Sequence, residues 1–131
     1  MNAGATAPEW GGALLDWGID TDATFTSTPT AAWQDVGSSV TLTLPVPGVV
    51  IAIGSGRFYS SGSWNAFLSV NIDGTNGQSN QSAAASIMHT PVFIKACAAG
   101  NIACKLQSYA YSTDTSTVVN SQLIAFAFAG S

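Results

Sequence analysis

The chain has 131 residues, enough for one domain with a hydrophobic core of its own. Apolar residues make up an ordinary 47%, but charged residues are only 8%, against roughly 25% in an average globular domain. Three basic residues in all provide no patch to neutralise phosphates, which excludes nucleic acid as a partner.

Thr, Ser, Asn, Gln and Gly take the place of the missing charge. Such a surface repels itself weakly and suits a protein packed against neighbours, although lectins and adhesins share it. The net charge of −4 is uneven, because Glu9, Asp16, Asp20, Asp22 and Asp35 all precede the first base, Arg57. The start "MNAGATAPEWGG" has neither a basic nor an apolar leader region. The longest apolar run, "LIAFAFA", falls far short of the roughly 18 residues needed to span a bilayer, so no membrane association is expected.

Residues 1–22 read as an arm. Thr6 and Glu9 stand at capping-box spacing, Pro8 comes early, and Trp10, Leu14 and Trp17 share one helical face. Gly11 and Gly12 oppose a helix, so a short helix and an extended strap are both open. The apolar residues Trp10, Leu14, Leu15, Trp17 and Ile19 are the candidate partner-binding set, too apolar to be left in water. On this reading the arm docks into a pocket with a positively charged rim on a neighbour, and the body folds without it. On the competing reading the arm packs back on its own sheet as a strand or strap, and truncation unfolds or aggregates the body.

From Ala23 onward the pattern is that of strands. "SVTLTLPV" places Val40, Leu42 and Leu44 on one face with Thr41 and Thr43 opposite. "WNAFLSVNIDGT" does the same with Ala66, Leu68, Val70 and Ile72, and ends at the turn signal Asp73-Gly74. "NIACKLQSYAYS" sets Ile102, Cys104 and Leu106 against Lys105, Gln107 and Tyr109. "NGQSNQSAAAS" is small and polar, a long loop with an irregular edge strand. About eight strands, separated by Gly/Pro/Ser/Asn clusters, predict an all-β, antiparallel two-sheet sandwich of jelly-roll type over residues 23–131.

Two strands are apolar in both phases: "GVVIAIG" (48–54) and "LIAFAFA" (123–129). A strand of this kind is normally covered on both faces, whereas a sandwich covers one face of each sheet. The second cover is expected from the arm or a neighbouring subunit, which makes Leu123, Ile124, Phe126 and Phe128 the candidate oligomer interface, with Phe126 or Phe128 almost wholly buried. The alternative is that Ala125, Ala127 and Ala129 line an exposed face.

Residues suited to catalysis are scarce. His89 is the one histidine, no G-x-S-x-G elbow accompanies it, and a rim histidine at a strand start is the plain reading. The acids of the body do not pair for glycoside hydrolysis, and Asp16, Asp20 and Asp22 lack the spacing of a calcium loop. They are expected to flank the arm's contact face or cap a strand. No enzyme activity, metal or cofactor is expected. Cys97 and Cys104 flank "AAGNIA", read as a hairpin turn, where alternation and cytosolic manufacture argue against a bridge without excluding it. Trp33, Arg57, Tyr59, Trp64, Tyr109 and Tyr111 are candidates for a sugar-stacking platform if they converge.

The run "TFTSTPTAAWQDVGSSVTLTLPVPGVVIAIGSGRF", followed by "FLSVNIDGT" and "ACKLQSYAYS…TVVNSQLIAFAF", resembles a β-sandwich common in tailed-phage structural proteins. Such domains are similar to trimeric jelly rolls of the tumour-necrosis-factor and C1q kind. They serve as head-decoration proteins, head fibres and tail-fibre tips. The resemblance implies a homo-oligomer, most simply a trimer, located in a virion assembled in the host cytoplasm. Its other partners would be virion proteins of the capsid shell or fibre. It carries no catalytic residues. The opening Met and short arm favour a small capsid decoration or stabilising protein. The other reading is a receptor-binding or carbohydrate-binding, lectin-like fibre module.

Overall fold

Val40, Leu42 and Leu44 are buried and Thr41 and Thr43 exposed, so the period-two pattern settles this strand's orientation. In the computed structural model, which describes residues 12–28, 31–61, 66–81, 87–111 and 114–130, the same logic runs through ten strands. They are β1 (Leu14–Thr26), β2 (Ala32–Leu44), β3 (Gly48–Ser60), β4 (Ala66–Ile72), β5 (Thr75–Asn76), β6 (Asn80–Gln81), β7 (Ile87–His89), β8 (Val92–Cys97), β9 (Gly100–Ala110) and β10 (Ser116–Ala129). The fold is the expected antiparallel jelly-roll sandwich. The front sheet runs β1-β10-β3, with β7 and β8 sharing the far edge of β3. The back sheet runs β2-β9-β4, with β5 and β6 on the far edge of β4.

The chain alternates between sheets: β1 front, β2 back, β3 front, β4 to β6 back, β7 and β8 front, β9 back and β10 front. The Asp73-Gly74 turn joins two consecutive strands that pair directly, β4 and β5. Both residues have positive φ (51° and 84°) and Ile72 pairs with Thr75, the two-residue hairpin that this dipeptide predicts. The "AAGNIA" segment differs from expectation. It carries the chain from β8 in the front sheet to β9 in the back sheet, so Cys97 and Cys104 are not hairpin partners. Both are free and buried.

β1 revises the arm. It pairs with β10 from Leu14 to Thr26, so a boundary at residue 22 cuts through a strand. The strand alternative to a helix holds from Leu14 onward, while Trp10 lies outside the described residues. β1 lies beside β10 in the same sheet and widens that sheet's outer face instead of covering it.

The two sheets contribute unequally to the core. The back sheet sends in Val40, Leu42, Leu44, Leu68, Val70, Ile72, Ile102 and Leu106. From β3 and β10 the front sheet answers with Ala52, Gly54, Gly56, Ala125 and Ala127 beside Val50, Phe58, Val118 and Leu123. Small residues there are a packing requirement. A Cβ on Gly54 would lie 2.6 Å from Leu106 Cδ1, closer than packed carbons tolerate. Buried hydroxyls also pair between sheets, Ser38 Oγ with Ser121 Oγ at 2.7 Å and Ser116 Oγ to Ser108 Oγ at 2.9 Å, which offsets their desolvation.

Candidate functional site

The outer face of the front sheet carries the large apolar residues that its inner face lacks. In β10, Leu123, Ala125, Ala127 and Ala129 point inward, while Ile124, Phe126 and Phe128 are half-buried on the outside. This overturns the alternative in which the alanines line the exposed face. It also corrects the burial expected of Phe126 and Phe128, which within one chain remain partly open. Strand register sets these side chains in rows. Trp17, Phe126, Ile51 and Ile94 form one; Ile19, Ile124, Ile53 and Val92 the next; Leu14, Phe128, Val49 and Ala96 the third. The Phe126 and Phe128 rings stack at 6.4 Å. Leu14, Trp17, Ile19, Val92 and Ile94 are 46 to 59% exposed, and no charged residue occupies the twelve positions.

Most of the two candidate sets therefore meet on this face: Leu14, Trp17 and Ile19 from the arm, and Ile124, Phe126 and Phe128 from the C-terminal strand. Leu15 packs against the core and Leu123 is fully buried within it, so neither is presented there. The apolar rows end at a polar one, Thr21, Gln122 and Ser55, which lines an open cavity of about 650 Å³ together with Asp22, Ala23, Met88, Asn120 and Ser121.

The acids of β1 work at the sandwich edge. Thr43 N–H donates to Asp16 Oδ2 at 2.8 Å, and Ser39 N–H donates to Asp20 Oδ2 at 2.9 Å. Both donors belong to β2, the edge strand of the back sheet, whose outward N–H groups have no ladder partner on that side. Between them Gly18 lies so close to β2 that a Cβ would sit 2.7 Å from Val40 Cγ1. Asp22 Oδ2 fills the space where a Cβ on Gly37 would be, and Gly37 has φ of 114°. The acids thus join two sheets, a role that their spacing of two to four residues does not advertise. Among the described residues no cluster of His, Cys, Asp and Glu is suited to a metal.

The opposite edge is closed by Lys95, whose Nζ donates to Thr75 Oγ1 at 2.9 Å and to the Ile72 carbonyl at 3.4 Å. His89 packs edge-on against Phe58 at 5.5 Å; its Nε2 is buried with no hydrogen-bond partner among the described residues, and desolvation lowers its pKa. Burial pushes the Cys104 thiol up to about 12, with smaller contributions from Cys97 and Asp73, so it is protonated and unreactive in the fold.

The aromatic candidates divide between the two sheets. Arg57 and Tyr59 lie on the front sheet, and Trp64 is outside the described residues. Trp33, Tyr109 and Tyr111 do converge on the outer face of the back sheet, joined by Phe67, which sequence reasoning did not single out. Phe67 was legible only as the outward phase of β4. Trp33, Tyr109 and Phe67 form one cross-strand row, with centroids 5.5 and 6.2 Å apart. The row below holds a polar chain. Lys105 Nζ (3.2 Å) and Gln107 Nε2 (2.7 Å) both donate to Asp35, and Asn76 Nδ2 donates to Gln107 Oε1 at 2.9 Å. The Gln107 bond, aided by Lys105, holds the Asp35 carboxyl below its usual range despite some desolvation.

No protein-family model matches the chain, and no curated protein matches it. Solved structures share its architecture. The PRD1 vertex protein P5 is 10% identical with a TM-score of 0.53, covering 92% of this chain and 100% of the other. The CBM22-1 xylan-binding domain of Paenibacillus barcinonensis Xyn10C is 15% identical with a TM-score of 0.52, covering 92% and 97%. Dimeric latent PorU from Porphyromonas gingivalis is 10% identical with a TM-score of 0.51, covering 96% of this chain but 14% of that one. At such identities the likeness is one of fold, the jelly-roll sandwich.

Proposed function

We propose that this chain is a non-enzymatic structural protein of a virion, a small decoration or stabilising subunit that assembles as a homo-oligomer through the outer face of its front sheet. The observation that carries the reading is the three-row apolar face on β1, β10, β3 and β8. Continuous exposed apolar surface without a single charge marks an association site, because water penalises it and no like charges oppose its burial. A subunit of the same kind is the natural cover, since none of the twelve positions carries a charge that would select an oppositely charged partner. A trimer is the arrangement implied by the resemblance to phage jelly rolls, and the fold shared with a vertex protein agrees with a place in a particle. The arm contributes to assembly as part of this face, through Leu14, Trp17 and Ile19.

Sedimentation velocity of the full chain tests assembly, with one closed oligomer expected at micromolar concentration. Trp17→Lys combined with Ile94→Lys is expected to give a folded monomer, because both side chains point away from the core. A wild-type chain that is a stable monomer at that concentration defeats the proposal. Antibody labelling of purified particles tests the location; unlabelled particles would remove the virion role.

A further inference from the structure

The back sheet presents a different surface from the front. Its outward positions on β2 and β9 are Ser39, Thr41, Thr43, Asn101, Ala103 and Lys105, an ordinary solvated face, until the end where β2, β9 and β4 bring their aromatics together. There Trp33, Tyr109, Phe67 and Tyr111 make a continuous group, with each neighbouring pair 5.5 to 6.3 Å apart and tilted or edge-on. Tyr111 is 48% exposed, and the other three are half-buried. Core packing does not explain them, since the inward positions alongside, Ala66, Leu68, Ser108 and Ala110, are the buried ones.

We propose that this face binds an uncharged oligosaccharide, with sugar rings against Trp33, Tyr109, Phe67 and Tyr111 and hydroxyls on the Asp35–Gln107–Asn76–Lys105 chain. A pyranose offers apolar C–H faces and a rim of hydroxyls that both donate and accept. The aromatic row matches the first and the carboxylate–amide–ammonium row the second, one strand-step away. The polar row is preorganised: Asp35 is held by two donors and Gln107 by Asp35 and Asn76, so little side-chain freedom is lost on binding. Lone pairs on Asp35 and N–H groups on Lys105 and Asn76 remain for hydroxyls. Asp35 and Lys105 neutralise each other at 3.2 Å, which favours an uncharged glycan over an anionic one. This site lies on the opposite sheet from the assembly face, so both functions can coexist and each can fail alone.

The test uses the full chain in affinity electrophoresis through gels containing arabinoxylan, galactan, mixed-linkage glucan, mannan or dextran, with heparin as the anionic control. Retardation by at least one uncharged polymer is expected, weakened roughly tenfold or more by Tyr111→Ala or Gln107→Ala, the size expected for losing one anchor in a small interface. Thr41→Ala, on the solvated end of the same sheet, should leave retardation unchanged. Circular dichroism of each variant separates lost binding from lost folding; if Tyr111→Ala misfolds, Tyr111→Leu keeps the apolar volume and must still weaken retardation. Absence of retardation by every uncharged polymer overturns the proposal. So does retardation by heparin alone, or retardation that the Tyr111 and Gln107 variants leave intact.

Discussion

Trp17 and Phe126 are direct cross-strand partners on the outer face of the front sheet, 109 positions apart in sequence and joined by the β1–β10 ladder. Their pairing merges the apolar part of the arm and the apolar C-terminal strand into one surface. It also predicts how β10 responds to truncation. Leu123→Ala should cost about 2–5 kcal/mol, because Leu123 is wholly buried in the core. Phe126→Ala should cost clearly less in a monomeric background and show its main effect on assembly. Urea melts in the Trp17→Lys, Ile94→Lys background measure both; equal losses would mean that Phe126 is core.

β1 is expected to be needed for folding. Deleting residues 1–20 removes the Asp16 and Asp20 carboxylates from the β2 edge and strips half the partner of β10. A truncated chain should melt lower and aggregate, as an uncapped edge does. Asp16→Asn and Asp20→Asn keep an acceptor and should cost about 1 kcal/mol or less each, the difference between charged and neutral hydrogen bonds at an exposed edge. Because these acids bind backbone N–H groups, a chelator should leave the melting temperature unchanged.

Gly37→Ala should destabilise by about 1–3 kcal/mol, the usual cost of a side chain in a backbone region reserved for glycine. The φ of 114° and the Asp22 carboxylate both oppose the new methyl group. Combining it with Asp22→Ala should recover the steric part and leave the backbone part, a separation that a double-mutant cycle reads directly.

His89 predicts a loss of stability in mild acid. Its folded pKa lies below the ordinary 6.5, so the unfolded chain takes up a proton that the folded chain refuses. Stability is full above pH 6.5 and declines as pH falls from there toward the folded pKa. Urea midpoints at pH 7.5 and pH values below 6 should differ, and His89→Leu should remove that part of the difference. Asp35 acts lower. Its depressed pKa contributes stability above 3.8 that is lost as pH falls through the folded value.

The two thiols should stay reduced and shielded. With Cys104 raised to about 12 and both cysteines buried, a thiol reagent should label them only on unfolding. A reducing agent should not shift the melting temperature.

The sequence by itself determined the class of fold and the orientation of three strands with one apolar phase, β2, β4 and β9. Val40–Leu44, Ala66–Ile72 and Ile102–Leu106 turn inward as their alternation requires, and Asp73-Gly74 makes the turn its backbone preferences demand. It also announced that "GVVIAIG" and "LIAFAFA" have an apolar face to spare. It was silent on which phase points inward, because a period of two carries no information when both phases are apolar. The tertiary structure decided that by volume: the back sheet fills the core with Leu, Ile and Val, and the front sheet meets it with the smaller phase of these two runs, Ala125, Ala127, Ala52 and Gly54. The phenylalanines are therefore turned outward. The remaining relationships share one cause, the order of strands across the two sheets. Asp16 meets Thr43, Trp33 meets Tyr109 and Phe67, and Cys97 parts from Cys104, all because strand order across two sheets places them, and strand order is fixed by the packing of the whole chain.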